Sequence, residues 1–411
     1  MKAISAVSFR IMLVVLTSWL FLSSQGIAGA EDEKLSENGR VYVMANEMKG
    51  NEIIEFWRTA EGGLVEMDRV PTGGLGSGPG PLPAAFGGPG PGPLPLNSQD
   101  SLVLTKDGRF LLAVNAGSNE VSVLAITRNG LRVVDKVPSG GEFPISIAHH
   151  DELVYVLNAG GPKSFNPSPS RLAPSITGFI LNSAGKLHAI PDSTRITGSP
   201  ISVPADVVFS PDGDLLIVSE VMTNSIDIFP VGQDGRIRER LNVPSVGPSP
   251  FGITVGRHQI LAVAEGHAIG TEGIGIPNQA SVSTYRLTDD NTLEPISRGA
   301  PTTQTAGLWV RFTANGRFAY SSNLGSGTIS SFSVSAHGEL SLLAGVAAIT
   351  GQGISLPLDM GITPNNRFLY VNAINSFAGA IVGYRINDDG SLTEVAAVNG
   401  LPISIEGIAA R

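Results

Sequence analysis

A three-strand unit that recurs seven times along the chain constrains the fold more than any other feature. In its clearest copy a hydrophobic run, Phe110 to Asn115, precedes an alternating apolar run, Val121 to Ile126. The turn Asn129-Gly130 then leads into a third short strand, Leu131 to Val137. One such sheet cannot bury both of its faces alone, so the copies must pack against each other. The repeat therefore predicts an all-β protein, a seven-bladed β-propeller.

One residue at the end of each hydrophobic strand marks the seven copies: Asn46, Asn115, Asn158, Glu220, Glu265, Asn323 and Ala373. Their spacing scatters around the roughly 40 to 50 residues of a propeller blade, with longer gaps where loops are inserted. The first blade lacks an inner strand, whereas Ile405 to Ala410 resembles the inner strand that begins at Met360. We therefore expect the C-terminal strand to complete blade one and to close the ring.

The first 30 residues differ from the rest of the chain. Lys2 and Arg10 precede an apolar run of 12 residues, Ile11 to Leu22, and Ala28-Gly29-Ala30 has the small residues that signal peptidase requires. The run is shorter than the roughly 20 residues of a membrane span. We expect a signal peptide over residues 1–30, with an uncleaved anchor as the alternative. The remaining residues 31–411 would form one exported propeller domain, periplasmic or extracellular and monomeric.

A low-complexity segment interrupts the repeat between blades one and two. Over residues 71–97, 17 of 27 residues are Gly or Pro, well above the roughly 25 to 30% that marks low-complexity sequence. Such a composition cannot form a packed core. We expect this Gly/Pro-rich segment to be a mobile loop.

Net charge limits the classes of partner. The formal charge is -9, and removal of Lys2 and Arg10 with a signal peptide that carries no acid takes it to -11. Nucleic acid and anionic membrane surfaces bind concentrated positive charge, and no run of Lys or Arg is present. We expect no nucleic acid partner and no membrane association after signal cleavage, but a small-molecule or other extracytoplasmic ligand.

The long loops predict where a ligand would bind. The Gly/Pro-rich segment and the loops after Asn158 and Glu265 all leave the same rim, which we call the mouth. Loops on a rigid scaffold commonly carry binding residues. Aligned inner strands place six residues at equivalent positions near the central channel: Ser101, Ser146, Asp206, Gly252, Trp309 and Asp359.

Asp206 and Glu220 are the predicted catalytic pair, because both carboxylates belong to blade four. Two neighbouring carboxyl groups can separate their pKa values so that one activates water, or they can hold a divalent cation such as calcium through oxygen ligands. No metal ligands are assigned by spacing, and a protein without a cofactor is the alternative.

Seven further residues are predicted to bind substrate at the mouth: Asn115, Asn158, Glu265, His267, Asn323, Asp359 and Arg171. The Asn amides could donate hydrogen bonds to a developing oxyanion, and Arg171 could pair with a carboxylate. The structural alternative is that each Asn bonds its own turn and that the His and Arg residues are solvated loop side chains.

Three phrases carry a family resemblance: Asp107 to Phe110 with Val114 to Ser118, Val207 to Gly213 with Thr223 to Phe229, and Arg367 to Val371. They resemble the seven-bladed propeller lactonases, a family that includes bacterial 6-phosphogluconolactonases and fungal carboxymuconate cyclases. The resemblance covers about residues 40 to 411, and it implies the propeller fold and the hydrolysis of a lactone.

Blade four departs from the family pattern. Phosphogluconolactonase-like members have Pro-Arg-His in the inner strand and Asn-Glu at the end of the next, whereas this chain has Pro204-Ala205-Asp206 and Ser219-Glu220. Only the Glu is retained, which disfavours 6-phosphogluconolactonase activity and favours a neutral lactone or related cyclic ester. The sequence leaves two hypotheses open: an exported lactonase-like hydrolase, and a non-catalytic propeller that binds a protein, peptide or glycan.

Overall fold

The computed structural model describes residues 38–79, 96–161, 172–268, 275–375 and 378–411. The predicted signal peptide, most of the Gly/Pro-rich segment and Arg171 lie outside these ranges. The described residues contain 29 strands in seven sheets. No helix among them is long and apolar enough to cross a bilayer.

The strands in chain order are β1 (Gly39–Met44), β2 (Glu52–Arg58), β3 (Leu64–Pro71), β4 (Leu102–Leu104), β5 (Phe110–Asn115), β6 (Glu120–Thr127), β7 (Gly130–Pro138), β8 (Pro144–His150), β9 (Leu153–Asn158), β10 (Ser175–Leu181), β11 (Leu187–Ala189), β12 (Arg195–Ile196), β13 (Pro204–Phe209), β14 (Leu215–Glu220), β15 (Ser225–Pro230), β16 (Leu241–Pro244), β17 (Pro250–Val255), β18 (Ile260–Glu265), β19 (Ser281–Leu287), β20 (Leu293–Pro301), β21 (Gly307–Phe312), β22 (Phe318–Asn323), β23 (Thr328–Val334), β24 (Leu340–Ile349), β25 (Ser355–Ile362), β26 (Phe368–Asn375), β27 (Ala378–Ile386), β28 (Leu392–Leu401) and β29 (Ile408–Ala410).

Each sheet is an antiparallel meander that forms one blade of the propeller. Six sheets follow chain order: β4 to β7, β8 to β11 with β12 added to β10, β13 to β16, β17 to β20, β21 to β24 and β25 to β28. Their innermost strands contact one another in sequence, and β29 contacts both β25 and β4. This closed circuit of seven inner strands confirms the predicted seven-bladed β-propeller.

The C-terminal strand closes the ring, as predicted. In the remaining sheet β29 pairs antiparallel with β1, with Ala410 opposite Val41 and Ile408 opposite Val43. Blade one is thus built from both ends of the described chain. The pairing covers the edge of β1, which would otherwise offer unpaired backbone groups to another chain.

Burial explains why the second strand of each blade reads as a continuous hydrophobic run. Every residue of β5, β14, β18 and β22 is buried, because neighbouring blades cover both faces. The outer strands β3 and β7 are mostly exposed or half-buried and alternate less clearly. Full burial on both faces removes the alternation that a half-exposed strand would show.

Candidate functional site

The strand-end asparagines hold the loops that connect neighbouring blades. The Asn115 amide donates to Ser122 Oγ at 2.8 Å, and its Oδ1 accepts from Thr72 Oγ1 at 2.7 Å. Asn323 repeats this arrangement by donating to Ser330 Oγ at 2.9 Å. These contacts fit the structural alternative, since the amide donors are used inside the protein.

Asn158 has a similar position in blade three. Its amide lies 3.3 Å from Ser139 O, in the connection between blades two and three. In blade one the side chain of Asn46 bonds Ser77. The register places Ala45 rather than Asn46 level with the other strand ends, because Tyr42 faces Glu55 as Tyr155 faces Gly178.

Two predicted substrate-binding residues, Glu265 and His267, meet around one hydroxyl. Ser281 Oγ donates to Glu265 Oε2 at 2.5 Å and lies 3.4 Å from His267 Nε2. The other Glu265 oxygen accepts from Gly247 N at 2.7 Å. Burial raises the pKa of Glu265 and lowers the pKa of His267. Both shifts favour the neutral forms, so this group is a hydrogen-bonded cluster with little charge.

Blade four replaces the repeated amide and hydroxyl with two acids. Glu220 pairs with Ser225 as Asn115 pairs with Glu120, so Asp227 stands where blade two has Ser122. Both carboxyl groups are buried, with Glu220 only 1% exposed and Asp227 fully covered. The sequence identified Glu220 but missed Asp227. Comparison of the third strands at the same register could have found it.

The two acids have different surroundings. Asp227 accepts from Arg240 Nη1 at 3.1 Å and from Asn242 Nδ2 at 2.6 Å. Neither oxygen of Glu220 makes a hydrogen bond of ordinary geometry in the described structure, although the hydroxyls of Thr197 and Ser202 lie beside it. Glu220 is therefore a buried carboxyl group with little compensation for a negative charge.

Both carboxyl groups have pKa values near neutrality. Burial raises the pKa of Glu220 to about 7, and the charge of Asp227 raises it further against the nearby hydroxyls. Burial also raises the pKa of Asp227 to about 6, while Asn242 and Arg240 lower it. A group whose pKa lies close to the working pH can both accept and release a proton, as a general base must.

A surface cleft adjoins this pair. It has a volume of about 490 Å³, and its wall includes Arg195, Arg238, Arg240 and Phe229. Arg240 lines the cleft with 40% of its side chain exposed and also contacts Asp227. It therefore separates the acidic pair from solvent.

Asp206 lies in the central channel and not beside Glu220. Its Oδ1 accepts from Ser146 Oγ at 2.9 Å, and its Oδ2 accepts from Gln99 Nε2 at 3.0 Å and from Ile253 N at 2.8 Å. Burial raises the pKa of Asp206 well above its usual value, as does the charge of Asp100. The partners of Asp206 and Glu220 do not overlap, so the predicted pair does not form one hydrogen-bonded unit here.

The strand register explains this separation. Asp206 is opposite Ser219 across a bulge, whereas Glu220 is opposite Pro204. Successive residues of a strand point to opposite faces, so Glu220 does not share the direction of Ser219. Membership of one blade was therefore not enough to bring the two carboxylates together.

Residues Leu96 to Asp100, which we call the channel plug, lie across the channel just inside the mouth. Ser98 Oγ donates to Ile145 O of β8 at 2.8 Å, and Trp309 Nε1 of β21 donates to Ser98 O at 2.8 Å. Gln99 reaches β13 and β17. A segment that bonds inner strands around the ring must cross the space between them. The last residues of the Gly/Pro-rich segment are thus buried.

Glu406 anchors the channel plug at its start. Its carboxylate accepts backbone N–H bonds from Leu96 at 2.6 Å, Asn97 at 3.1 Å and Ser98 at 2.8 Å. The sequence analysis passed over Glu406, although this acid lies within the C-terminal segment recognised as an inner strand. A buried acid at that position was the available signal.

An ion-pair network holds the other end of the plug. Arg311 donates to both carboxylate oxygens of Asp100, at 2.6 and 3.1 Å, and to Asp359 Oδ1 at 3.0 Å. Burial raises the pKa of Asp359 to about 6 although Arg311 opposes the shift. Burial would lower the pKa of Arg311, but the carboxylates of Asp100 and Asp359 raise it overall. Asp359, predicted to bind substrate, bonds this internal arginine.

Metal binding has no obvious centre in the described part of the chain. No three side chains of Asp, Glu or His converge there in a way that could hold an ion. The expected divalent cation stays a prediction. Arg171 lies outside the described residues, so its predicted contact with substrate is untested.

Comparison with known proteins agrees with the fold and the blade count. The family model described as "Lactonase, 7-bladed beta-propeller" matches residues 278–402. A search of curated protein sequences found no match. The resemblance to the propeller lactonases is confirmed.

Solved structures of similar proteins extend the comparison to most of the chain. A putative 6-phosphogluconolactonase from Bacteroides uniformis has 20% identity and a TM-score of 0.64, over 90% of this chain and 99% of that one. A protein from Lactobacillus plantarum has 16% identity and a TM-score of 0.65, over 91% and 99%. A periplasmic gluconolactonase from Pseudomonas aeruginosa has 15% identity and a TM-score of 0.63, over 91% and 99%. At these identities the likeness shows the fold alone.

Proposed function

We propose that this propeller is an exported lactonase-type hydrolase in which Glu220 is the general base. The observation that carries the proposal is the buried Glu220 carboxyl group, raised to a pKa of about 7 and without hydrogen bonds of ordinary geometry. Hydrogen-bonded Asn side chains occupy this position in blades two, three and six. Glu220 is also the one residue of blade four that matches the phosphogluconolactonase-like pattern.

The proposed reaction consumes one water and opens one ring. Water attacks the lactone carbonyl carbon while its proton moves to the Glu220 carboxylate. The tetrahedral intermediate collapses, the ring C–O bond breaks, and the leaving alkoxide takes the proton from Glu220. The product is a hydroxy acid, and Glu220 returns to its ionised form.

Arg240 controls access to the base in this proposal. Its guanidinium lines the cleft, contacts Asp227 and donates to Thr197 O. A substrate carbonyl that enters the cleft and draws Arg240 toward itself would open a path to Glu220. The guanidinium would then stabilise negative charge that develops on the carbonyl oxygen. Arg240 is thus proposed to bind substrate.

Asp206 has a positioning role in the proposal. Its carboxylate bonds Gln99 of the channel plug and two inner strands, so it holds the centre of the propeller together. The earlier hypothesis that Asp206 and Glu220 activate water jointly predicts equal losses when either is made neutral. The Glu220 proposal predicts a loss of activity at Glu220 and a loss of stability at Asp206.

The experiment compares variants on a panel of neutral lactones. Proton release by the purified protein is followed with and without a chelator, for wild type, Glu220→Gln, Asp206→Asn and a surface control, Glu394→Gln. Loss of a general base lowers turnover by about 10² to 10⁴. Turnover that survives in Glu220→Gln would remove the proposed base, and inhibition by the chelator would establish the predicted cation.

A non-catalytic binding propeller is the second candidate, and one observation favours it. The channel plug fills the space just inside the mouth, and the Asn amides there are already bonded. A protein, peptide or glycan could then bind across the closed surface. Absence of turnover on every lactone of the panel would favour this function over hydrolysis.

Export is part of the proposal and has its own test. It rests on the charged start, the apolar run and the small residues of the first 30 positions. N-terminal sequencing of the protein from the extracytoplasmic fraction should begin at Glu31. An intact Met1 in the cytoplasmic fraction would contradict it.

A further inference from the structure

Three blades are joined to their neighbours by the same tyrosine contact. At one register position of the second strand, a Tyr hydroxyl donates to the carbonyl of the glycine in the hairpin of the following blade. These bonds are Tyr155 to Gly235 at 2.6 Å, Tyr320 to Gly390 at 3.0 Å and Tyr370 to Gly62 at 2.8 Å. The repeat makes any departure from it easy to recognise.

Tyr42 has the same position in blade one without the same bond. It is fully buried, and its hydroxyl makes no hydrogen bond within the described part of the chain. The corresponding hairpin glycine of blade two is Gly130, whose carbonyl accepts from Thr127 at 2.8 Å. The Glu55 side chain lies beside Gly130 instead. A buried phenol without a partner costs stability unless another molecule bonds it.

The Tyr42 hydroxyl belongs to the wall of an open cleft. This cleft, between blades one and two at the rim opposite the mouth, has a volume of about 550 Å³. Its wall includes four arginines, two acids and two aromatic rings: Arg40, Arg109, Arg128, Arg411, Glu55, Asp107, Tyr42 and Trp57. We call it the Tyr42 cleft. Arginines outnumber acids in its lining, although the whole chain is acidic.

Two of the arginines have no carboxylate partner. Arg128 is exposed and makes no ion pair or hydrogen bond with any described residue. Arg411 donates to the Gly108 carbonyl at 3.1 Å and pairs with no described acid. Arg40 is committed to Glu55 at 3.0 Å and stacks over Trp57 at 4.3 Å from the ring centroid. Arg40 therefore shapes the wall, while the other two are available to an anion.

We propose that the Tyr42 cleft is a second ligand site, which binds a small molecule through a carboxylate or phosphate group. Guanidinium groups bind such planar or tetrahedral oxyanions with paired N–H bonds. The Tyr42 hydroxyl supplies a further donor, and burial raises the pKa of Tyr42 to about 12, so it keeps its proton. The site is separate from the blade-four carboxyl groups and does not depend on hydrolysis.

Calorimetric titration of the purified protein with inorganic phosphate and with citrate tests the proposal and separates the two oxyanions. Tyr42→Phe removes only the hydroxyl and should weaken binding roughly tenfold. Arg128→Gln should weaken it roughly threefold. Since the Tyr42 hydroxyl lacks a partner, Tyr42→Phe should leave the Tm unchanged or higher.

Matched controls distinguish binding from folding. Tyr370→Phe removes a hydroxyl that bonds Gly62, so it should lower the Tm and leave anion binding unchanged. Arg298→Gln removes an exposed arginine from β20 and should change neither. Saturable binding that Tyr42→Phe weakens and Tyr370→Phe does not would support the site. No saturable binding of either anion, or equal losses in the variants and their controls, would overturn it.

Discussion

Asp227 raises the pKa of Glu220 from the neighbouring strand of blade four. The matching positions of blade two hold Asn115 and Ser122, which share a 2.8 Å hydrogen bond and carry no charge. Blade four has therefore exchanged a neutral structural contact for two buried acids. The exchange destabilises the charged state of the fold, which makes it measurable.

Glu220 should make the protein less stable as the pH rises. Its folded pKa of about 7 lies above the ordinary value of 4.5, so the folded state holds the proton more tightly. The resulting stabilisation is fully present below pH 4.5 and is lost as the pH rises through 7. Urea unfolding of Glu220→Gln at pH 5 and pH 8 should show a smaller pH dependence than wild type, by about 1 to 3 kcal/mol. An unchanged dependence would mean that Glu220 titrates normally.

Asp227→Asn should lower the pKa of Glu220. The substitution removes a negative charge that disfavours ionisation of its neighbour. NMR titration of carbon-13-labelled Glu side chains would measure the shift directly. Asp234→Asn is the control, because Asp234 is a hairpin residue whose pKa is lowered by hydrogen bonds with Arg236. A Glu220 titration that is the same in both variants would contradict the coupling.

Gly252→Ala should loosen the channel plug. A Cβ at this position would overlap the carboxamide of Gln99 and approach Leu308 O to 3.0 Å. Overpacking of this kind costs about 1 to 3 kcal/mol. The free energy of unfolding in urea checks the value. Gly50→Ala is the matched control, since nothing lies within 4 Å of its added Cβ and it should be nearly neutral. Equal stability of the two variants would show that the plug tolerates displacement.

Glu406→Gln should destabilise the start of the plug. The carboxylate accepts three backbone N–H bonds, whereas an amide has one acceptor oxygen and adds donors that face those N–H groups. We expect a loss of about 1 to 3 kcal/mol in urea unfolding, with faster cleavage by protease near Leu96. Glu394→Gln, on the exposed strand β28, should behave as wild type. Wild-type stability of Glu406→Gln would contradict the anchoring role.

Blade boundaries were predictable because the evidence for them is local. The run Phe110 to Asn115 is β5 residue for residue, and the prediction for the C-terminal strand correctly assigned it to blade one. Hydrophobic runs, turn glycines and their spacing are properties of short stretches of sequence. A repeated unit with two faces to bury has few ways to pack other than a ring.

Side-chain meetings were decided by the tertiary structure. The sequence by itself determined seven blades, their order and the closure of the ring, since each follows from periodicity. The contact of Gln99 with Asp206 spans 107 residues, and that of Leu96 with Glu406 spans 310. Periodicity carries no information about such pairs. Register and a bulge turned Asp206 toward the channel and left Glu220 beside Asp227, because adjacent strand residues face opposite sides of a sheet.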